Sequence, residues 1–354
     1  MALAIAALIA VAVWLPVTAA PAGPRLVLVT IDGLSWTDVF RGADPQRAAD
    51  RAFVEAPEAI RDFVAPSDRP RALMPFLHDV VARQGVLIGD RDHGSCAAVA
   101  NDKWFSYPGY NEMLTGRPDP TIRSNNHGPN RNVTFLEWLN RRPEFRGSVE
   151  AVASWSVFRD ILNAPRSGVA VNSGWDGGLD GDPATAQLQR TTPHLWPTAR
   201  FDAFTQAHAL RALRRDKPRV LFVAFNDTDD FAHEGHYDQV LMAAHRADGF
   251  VADLWRTLQA DPAYAGKTTL IVTSDHGRGT EGREGWRNHG KPMFVGSDTV
   301  WIGAIGPGVR PAPRPAAGCA TSSQIAATAI TALGLDWRAF DPTAAEPLDI
   351  LARR

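Results

Sequence analysis

Only two cysteines, Cys96 and Cys319, occur in the 354 residues. In an exported protein they could pair; they could equally stay free and buried, and their wide separation leaves both outcomes open. An excess of either charge is also missing. The formal net charge is −2, so there is no basic footprint for nucleic acid. No run of like charges marks an acidic or basic tail. Internal repeats and low-complexity tracts are absent. What remains is 45% hydrophobic and 21% charged, an ordinary globular composition that excludes disordered and fibrous classes. The length suits one large α/β domain or two small ones, with a self-supporting core.

Long apolar runs are missing too, with one exception. Residues 2–20, ALAIAALIAVAVWLPVTAA, carry no charge. Pro16 breaks the run, and Val17 and Ala19, or Ala20 and Ala22, fit the small-x-small pattern of secretory cleavage. No Lys or Arg precedes it. Residues 1–22 are read as a signal peptide, which makes the protein exported, periplasmic or secreted. The alternative is an uncleaved N-terminal anchor, since about 18 apolar residues can span a bilayer. Only that alternative would give the protein a membrane contact. Residues 23–354 read as a single domain.

Within that domain, short β-branched runs alternate with helical periodicity. RLVLVTID (25–32), VEAVASW (149–155), RVLFVAFND (219–227), TTLIVTSD (268–275) and TVWIGAIG (299–306) are near-continuous apolar stretches. Such runs suit strands buried on both faces of a parallel sheet. ALMPFLHDVVARQ, NVTFLEWLNRR, RFDAFTQAHALRALRR, YDQVLMAAHRADGFVADLWRTLQAD and TSSQIAATAITALG have the spacing of helices. Asn132 is a candidate N-cap for the second, and Gly334 a candidate C-cap for the last. The alternation predicts an α/β fold: a three-layer α/β/α sandwich around a mostly parallel sheet. Residues 156–193 are rich in Gly, Asn, Asp and Pro and read as a long surface insertion on the substrate side.

Ligands of such sheets bind beyond the carboxyl ends of the strands. After the first strand come Asp32 and Gly33. After the third comes NDTDDFAHEGH, and after the fourth SDHGRG, followed by WRNHGKP. Three aspartates and three histidines recur there: Asp32, Asp229, Asp275, His233, His276 and His289. Carboxylates gathered together need a compensating cation. A mixed Asp/His set suits Zn²⁺ or a similar transition ion, and six ligands fit a pair of ions with positions left open. Each piece alone has a plain reading: Asp-Gly as a turn, Asp229 and His233 as a solvated i, i+4 pair. Their joint occurrence at successive strand ends argues for a site. Asp92–His93 and His236 are weaker substitutes. His127 is a candidate substrate contact. His78, His208 and His245 lie in helical patterns and read as surface or half-buried residues, and His194 carries no partner signal.

The ordered set VTIDG, SYPGYNEMLTG, TDDFAH, TSDHG and NHG resembles the alkaline phosphatase superfamily of metallohydrolases. The likeness is greatest to its type I phosphodiesterase/nucleotide pyrophosphatase branch, from about Arg25 to the closing helix. The resemblance implies an alkaline phosphatase-like sandwich holding two divalent metal ions, usually Zn²⁺, with Mn²⁺ or Fe as alternatives. It implies Asp229, His233 and His289 at one ion, and Asp32, Asp275, His276 and the nucleophile Ser106 at the other. Asn125 or Asn126, within RSNNHG, would bind a non-bridging phosphate oxygen. Arg278, Arg117 or Arg123 could clamp phosphate. The chain departs from the branch at Gly109–Tyr110, where nucleotide pyrophosphatases have Asn-His, and in the short interval between His276 and His289.

The expected activity is hydrolysis of small-molecule phosphoric esters, diesters or monoesters, through a covalent phospho-serine. Rival readings are a sulfatase, a phosphomutase and an inactive metal-binding relative. Tyr110 stands where sulfatases of the superfamily place an arginine, and Ser106 in place argues against the inactive relative.

Overall fold

The computed structural model describes residues 23–175, 182–290, 292–311 and 318–352. The N-terminal apolar run, and with it the choice between signal and anchor, lies outside them. Among the described residues no helix is long and apolar enough to cross a membrane.

Among the described residues ten strands form two sheets: β1 (Arg25–Ile31), β2 (Val86–Ile88), β3 (Ser95–Ala98), β4 (Val149–Ala153), β5 (Ala170–Ser173), β6 (Val220–Phe225), β7 (Thr268–Thr273), β8 (Thr299–Val300), β9 (Ile302–Ile305) and β10 (Gly318–Thr321). The larger sheet has seven strands in the order β2-β9-β7-β1-β6-β4-β5. It is mostly parallel: β1 pairs in parallel with both β6 and β7, and β9 runs antiparallel to its neighbours. Alternation along β1 shows why the run is apolar throughout. Leu26 and Leu28 pack with the helices Ser106–Thr115, Phe135–Arg141 and Gln324–Ala332, whereas Val27, Val29 and Ile31 pack with Asp202–Arg215 and Tyr237–Ala260. Both faces are covered, so a period-two pattern is lost. This is the expected three-layer sandwich.

The smaller sheet, β10-β3-β8, corrects one expectation. TVWIGAIG is not one strand. Trp301, with no exposed surface, divides it into β8 and β9, which belong to different sheets. Its indole N–H donates to the Leu34 carbonyl and its own carbonyl accepts from Thr273 Oγ1, so the chain changes sheets where the indole is anchored. Cys96 and Cys319 face one another in the β3/β10 register and form a disulfide, with Cα atoms 4.4 Å apart.

Three further details differ from the sequence reading. Thr134, not Asn132, caps the helix Phe135–Arg141, accepting from the Glu137 N–H; the Asn132 amide donates instead to Asn111 and Asp119. The stretch ALMPFLHDVVARQ is not one regular helix: Arg69–Leu73 ends within it, and a π-helical turn, Leu77–Val81, runs into Ala82–Gln84. The stretch 156–193 is not only a surface insertion: it supplies the edge strand β5 and the helix Pro183–Thr191, while residues 176–181 lie outside the described ones. Gly334, at φ +80, follows the helix Gln324–Ala332 as a terminator should.

Glu150 in β4 gives the fold a pH dependence. Its Oε2 is buried without a partner, and burial, with Asp216 nearby, pushes its carboxyl up to about 7 from 4.5. The folded state therefore holds a proton that the unfolded state releases between those values. Stability falls as pH rises through that window and stays lowered above it. Glu150→Gln should raise Tm at pH 8, by about 1–3 kcal/mol of stability, and change it little at pH 4. An equal effect at both pH values would contradict this.

Candidate metal centre

Three adjacent strands, β7, β1 and β6, end on one edge of the sheet, and all the predicted acidic ligands follow them. Asp32 comes directly after β1 and is 1% exposed, and Asp275 and His276 follow β7 with no exposure at all. Asp229 and His233 lie in the helix Asp227–Glu234 that begins right after β6. His289 arrives from the loop beyond His276.

Two clusters result, each with ligand atoms within 4.8 Å of one another: Asp32, Asp275 and His276, and Asp229, His233 and His289. In the first, His276 Nδ1 donates to the Gly277 carbonyl at 2.9 Å. Nε2 is then the nitrogen turned toward the carboxylates. That nitrogen lies 3.3 Å from Asp32 Oδ1, 3.4 Å from Asp275 Oδ2 and 3.2 Å from Ser106 Oγ. Each carboxylate is held by its other oxygen. Tyr110 O–H donates to Asp32 Oδ2 at 3.0 Å, and the Gly33 N–H donates to Asp275 Oδ1 at 3.1 Å. The two inward oxygens, Asp32 Oδ1 and Asp275 Oδ2, are buried with no hydrogen-bond partner.

In the second cluster His233 Nε2 is 3.0 Å from His289 Nε2 and 3.2 Å from Asp229 Oδ2, and His289 Nε2 is 3.6 Å from Asp229 Oδ1. The His233 side chain is 39% exposed, so this cluster is open to solvent. Asp229 and His276 Nε2, 3.9 Å apart, connect the two clusters.

The electrostatics are those of a site built around cations. Burial pushes the Asp275 carboxyl up to about 8, with Asp32 adding repulsion. Burial likewise raises Asp32, with Asp229 adding to it. Burial alone would lower His276, but Asp275 and Asp32 outweigh it and hold the imidazole at about 9. Burial and His276 push His289 well below its ordinary value. Orphaned inward oxygens, fixed outward oxygens and a mixed nitrogen/oxygen donor set all fit divalent cations. The donor types suit Zn²⁺, and also Mn²⁺ or Fe.

Ser106 opens the helix Ser106–Thr115, whose ten residues are all buried. Its hydroxyl does not cap the helix; Phe105 is the N-cap and its side chain makes no capping bond. Asn125 supplies one from outside, with Oδ1 accepting from the Tyr107 N–H at 3.0 Å. This brings Asn125 to the serine's end of the helix with its NH₂ group still a donor. Asn126 is exposed, and its backbone N–H bonds to Ser124. His127 stacks edge-on against Tyr107 at 5.4 Å.

Arg278 is a correction. Its side chain is 5% exposed and its guanidinium is committed to protein acceptors: Asp229 Oδ1, the Gly33 carbonyl and the Arg287 carbonyl. It is a prop beneath Asp229, not a clamp reaching for substrate. Burial opposes the charge on Asp229, but Arg278, His233 and His289 more than offset that and hold its carboxyl well below the usual range. Arg117 pairs with Asp341, and Arg123 is exposed with Nε on the Pro120 carbonyl.

Sequence reading missed Tyr110, Gly33 and Gly109 as parts of the site. A Cβ on Gly109 would lie 2.4 Å from the Asp275 carbonyl oxygen, so only glycine lets the serine helix approach that backbone. A Cβ on Gly33, at φ +58, would strike Arg278 and Asp229. The weaker candidates fall away. His93 pairs with Asp90 and Asp92 with Arg41 on the surface. His236 is the N-cap of the helix Tyr237–Ala260. His208 is not a surface residue but is 1% exposed, with Nε2 on Gln189.

The type I phosphodiesterase / nucleotide pyrophosphatase family matches the chain over residues 123–289. No curated protein matches it in sequence. Among solved structures, the alkaline phosphatase PafA is similar with a TM-score of 0.56 at 11% identity, covering 94% of this chain and 99% of that one. A phosphonate monoester hydrolase of Agrobacterium radiobacter has a TM-score of 0.51 at 16% identity, covering 88% and 74%. A 2-O GAG sulfatase has 0.56 at 15% identity, covering 94% and 73%. Over its middle, residues 123–289, the chain resembles the type I phosphodiesterase / nucleotide pyrophosphatase family, and its fold is similar to that of the alkaline phosphatase PafA.

Proposed function

We propose that the protein is a metal-dependent phosphoric ester hydrolase with Ser106 as its nucleophile. One observation carries the reading: Ser106 Oγ lies 3.2 Å from His276 Nε2, the nitrogen on which the unpartnered oxygens of Asp32 and Asp275 also converge. One divalent ion would be held by Asp32, Asp275, His276 and Ser106, the other by Asp229, His233 and His289. Such ions, when bound, supply positive charge that lowers the serine's pKa and steadies the leaving oxygen.

The chain's own residues then account for the rest. Ser106 Oγ attacks phosphorus and loses its proton to solvent. The bond from phosphorus to the leaving alcohol breaks, and that oxygen takes up a proton. A phospho-serine results. Water attacks the same phosphorus and gives up a proton to solvent, the Ser106–phosphorus bond breaks, Ser106 Oγ takes a proton back, and phosphate or a phosphomonoester departs. The Asn125 amide donates to a non-bridging oxygen, where charge grows in the transition state. The N-terminal end of the Ser106 helix adds a favourable dipole for an incoming anion.

Tyr110 favours phosphoryl over sulfuryl transfer. It stands at the position of the sulfatase arginine, and its hydroxyl is spent on Asp32. The Cys96–Cys319 disulfide supports an exported, oxidising location. The test is a panel of p-nitrophenyl phosphate, bis(p-nitrophenyl) phosphate and p-nitrophenyl sulfate, with the diester expected to turn over fastest and the sulfate slowest. Sulfate hydrolysis faster than both phosphates would overturn the assignment.

A further inference from the structure

The serine helix carries a carboxylate that the chemistry above does not use. Glu112 has no exposed surface. A buried carboxylate needs several donors to remain there, and Glu112 has them on two sides. On one side Oε1 accepts from the Ala100 N–H at 2.8 Å, and Oε2 from the Asn101 N–H at 2.8 Å and Asn101 Nδ2 at 2.9 Å. On the other side Oε1 accepts from the Ser323 N–H at 3.0 Å and Ser323 Oγ at 2.8 Å.

These two sides are the continuations of paired strands, β3 ending at Ala98 and β10 ending at Thr321. The disulfide joins the strands; Glu112 joins the chains that leave them. Asn101 passes the constraint onward, its Oδ1 accepting from the Lys103 N–H at 2.9 Å and the Trp104 N–H at 3.0 Å. Trp104 has φ +60, a left-handed conformation that strains a bulky residue and persists only where its surroundings impose it. It lies two residues before Ser106, and the intervening Phe105 makes no side-chain cap.

We infer that Glu112 and Asn101 are positioning residues: they impose the left-handed turn at Trp104 that aims Ser106 Oγ at His276 Nε2. The inference rests on Ser106 being the nucleophile. A misplacement of about 1 Å far from the reacting atoms can cost about 10²-fold in rate, so the effect should appear in kcat.

The experiment compares Asn101→Ala, Glu112→Gln, Ser323→Ala and Ser106→Ala in the metal-loaded full chain, measuring kcat, KM, Tm and metal content. Ser323→Ala cuts only the side of the anchor remote from the serine. The expected result is a kcat about 10- to 100-fold lower in Asn101→Ala and Glu112→Gln, with KM and metal content unchanged. Ser323→Ala should lower Tm and keep wild-type kcat. If Glu112→Gln does not fold, Asn101→Ala decides the matter alone. Wild-type kcat in Asn101→Ala, beside an inactive Ser106→Ala, overturns the positioning role and leaves the nucleophile intact. Full activity in Ser106→Ala overturns the reading on which the inference rests.

Discussion

Ser106→Ala should lower kcat by about 10³-fold or more, a loss of about 4 kcal/mol of transition-state stabilisation, while KM changes little. The hydroxyl lies 3.2 Å from His276 Nε2, where the inward oxygens of Asp32 and Asp275 also converge. Metal content should stay close to wild type, because Asp32, Asp275 and His276 remain. Residual activity would come from water attacking directly in a site that still binds the phosphoryl group. Steady-state kinetics on the preferred ester, with metal content measured on the same preparation, gives both numbers. A kcat within tenfold of wild type would show that another group attacks phosphorus.

Asp32→Asn should have effects of opposite sign on activity and on metal-free stability. The carboxylate is buried, and its charged form is disfavoured first by that burial and then by Asp229. Asparagine keeps an oxygen for the Tyr110 hydroxyl and removes the charge. The metal-free variant should therefore be at least as stable as metal-free wild type. The loaded protein should suffer instead, because a ligand present at 100 times its Kd adds about 2.7 kcal/mol that weaker binding forfeits. Activity should fall by about 10³-fold. Thermal melts with and without Zn²⁺ read the difference: a large upward shift for wild type, a much smaller one for Asp32→Asn. An equal shift in the two proteins would remove Asp32 from the metal site. The pattern is the usual trade in which a site suited to its ion is a poor place for the fold alone.

The strand ends were legible because parallel strands buried on both faces appear as unbroken apolar runs, and the polar residue that stops each run must face the open edge. That reading put Asp32, Asp229 and Asp275 at one edge of the sheet, where the structure gathers them into two clusters with histidines. Contacts made across the chain were not legible. Tyr110 touches Asp32, 78 residues away, and nothing local to SYPGYNEM distinguishes it from a core aromatic. Glu112 looks like a helix-surface charge until both strands are seen to converge on it. Arg278 was misread for a related reason: proximity to His276 in sequence says where the backbone goes, whereas the Gly33 carbonyl and Asp229 decide where the guanidinium goes. The split at Trp301 was invisible because both halves of TVWIGAIG are equally apolar. The role of 156–193 was obscured because β5 is a short edge strand whose polar residues, Asn172 and Ser173, look like loop.

The most direct measurement of the central claim is the metal content of the purified protein by elemental analysis, paired with phosphodiesterase activity before and after dialysis against excess chelator. Two ligand clusters predict about two divalent ions per chain, loss of activity as they leave, and its return when Zn²⁺ is restored. Full activity in a protein freed of metal would contradict the account.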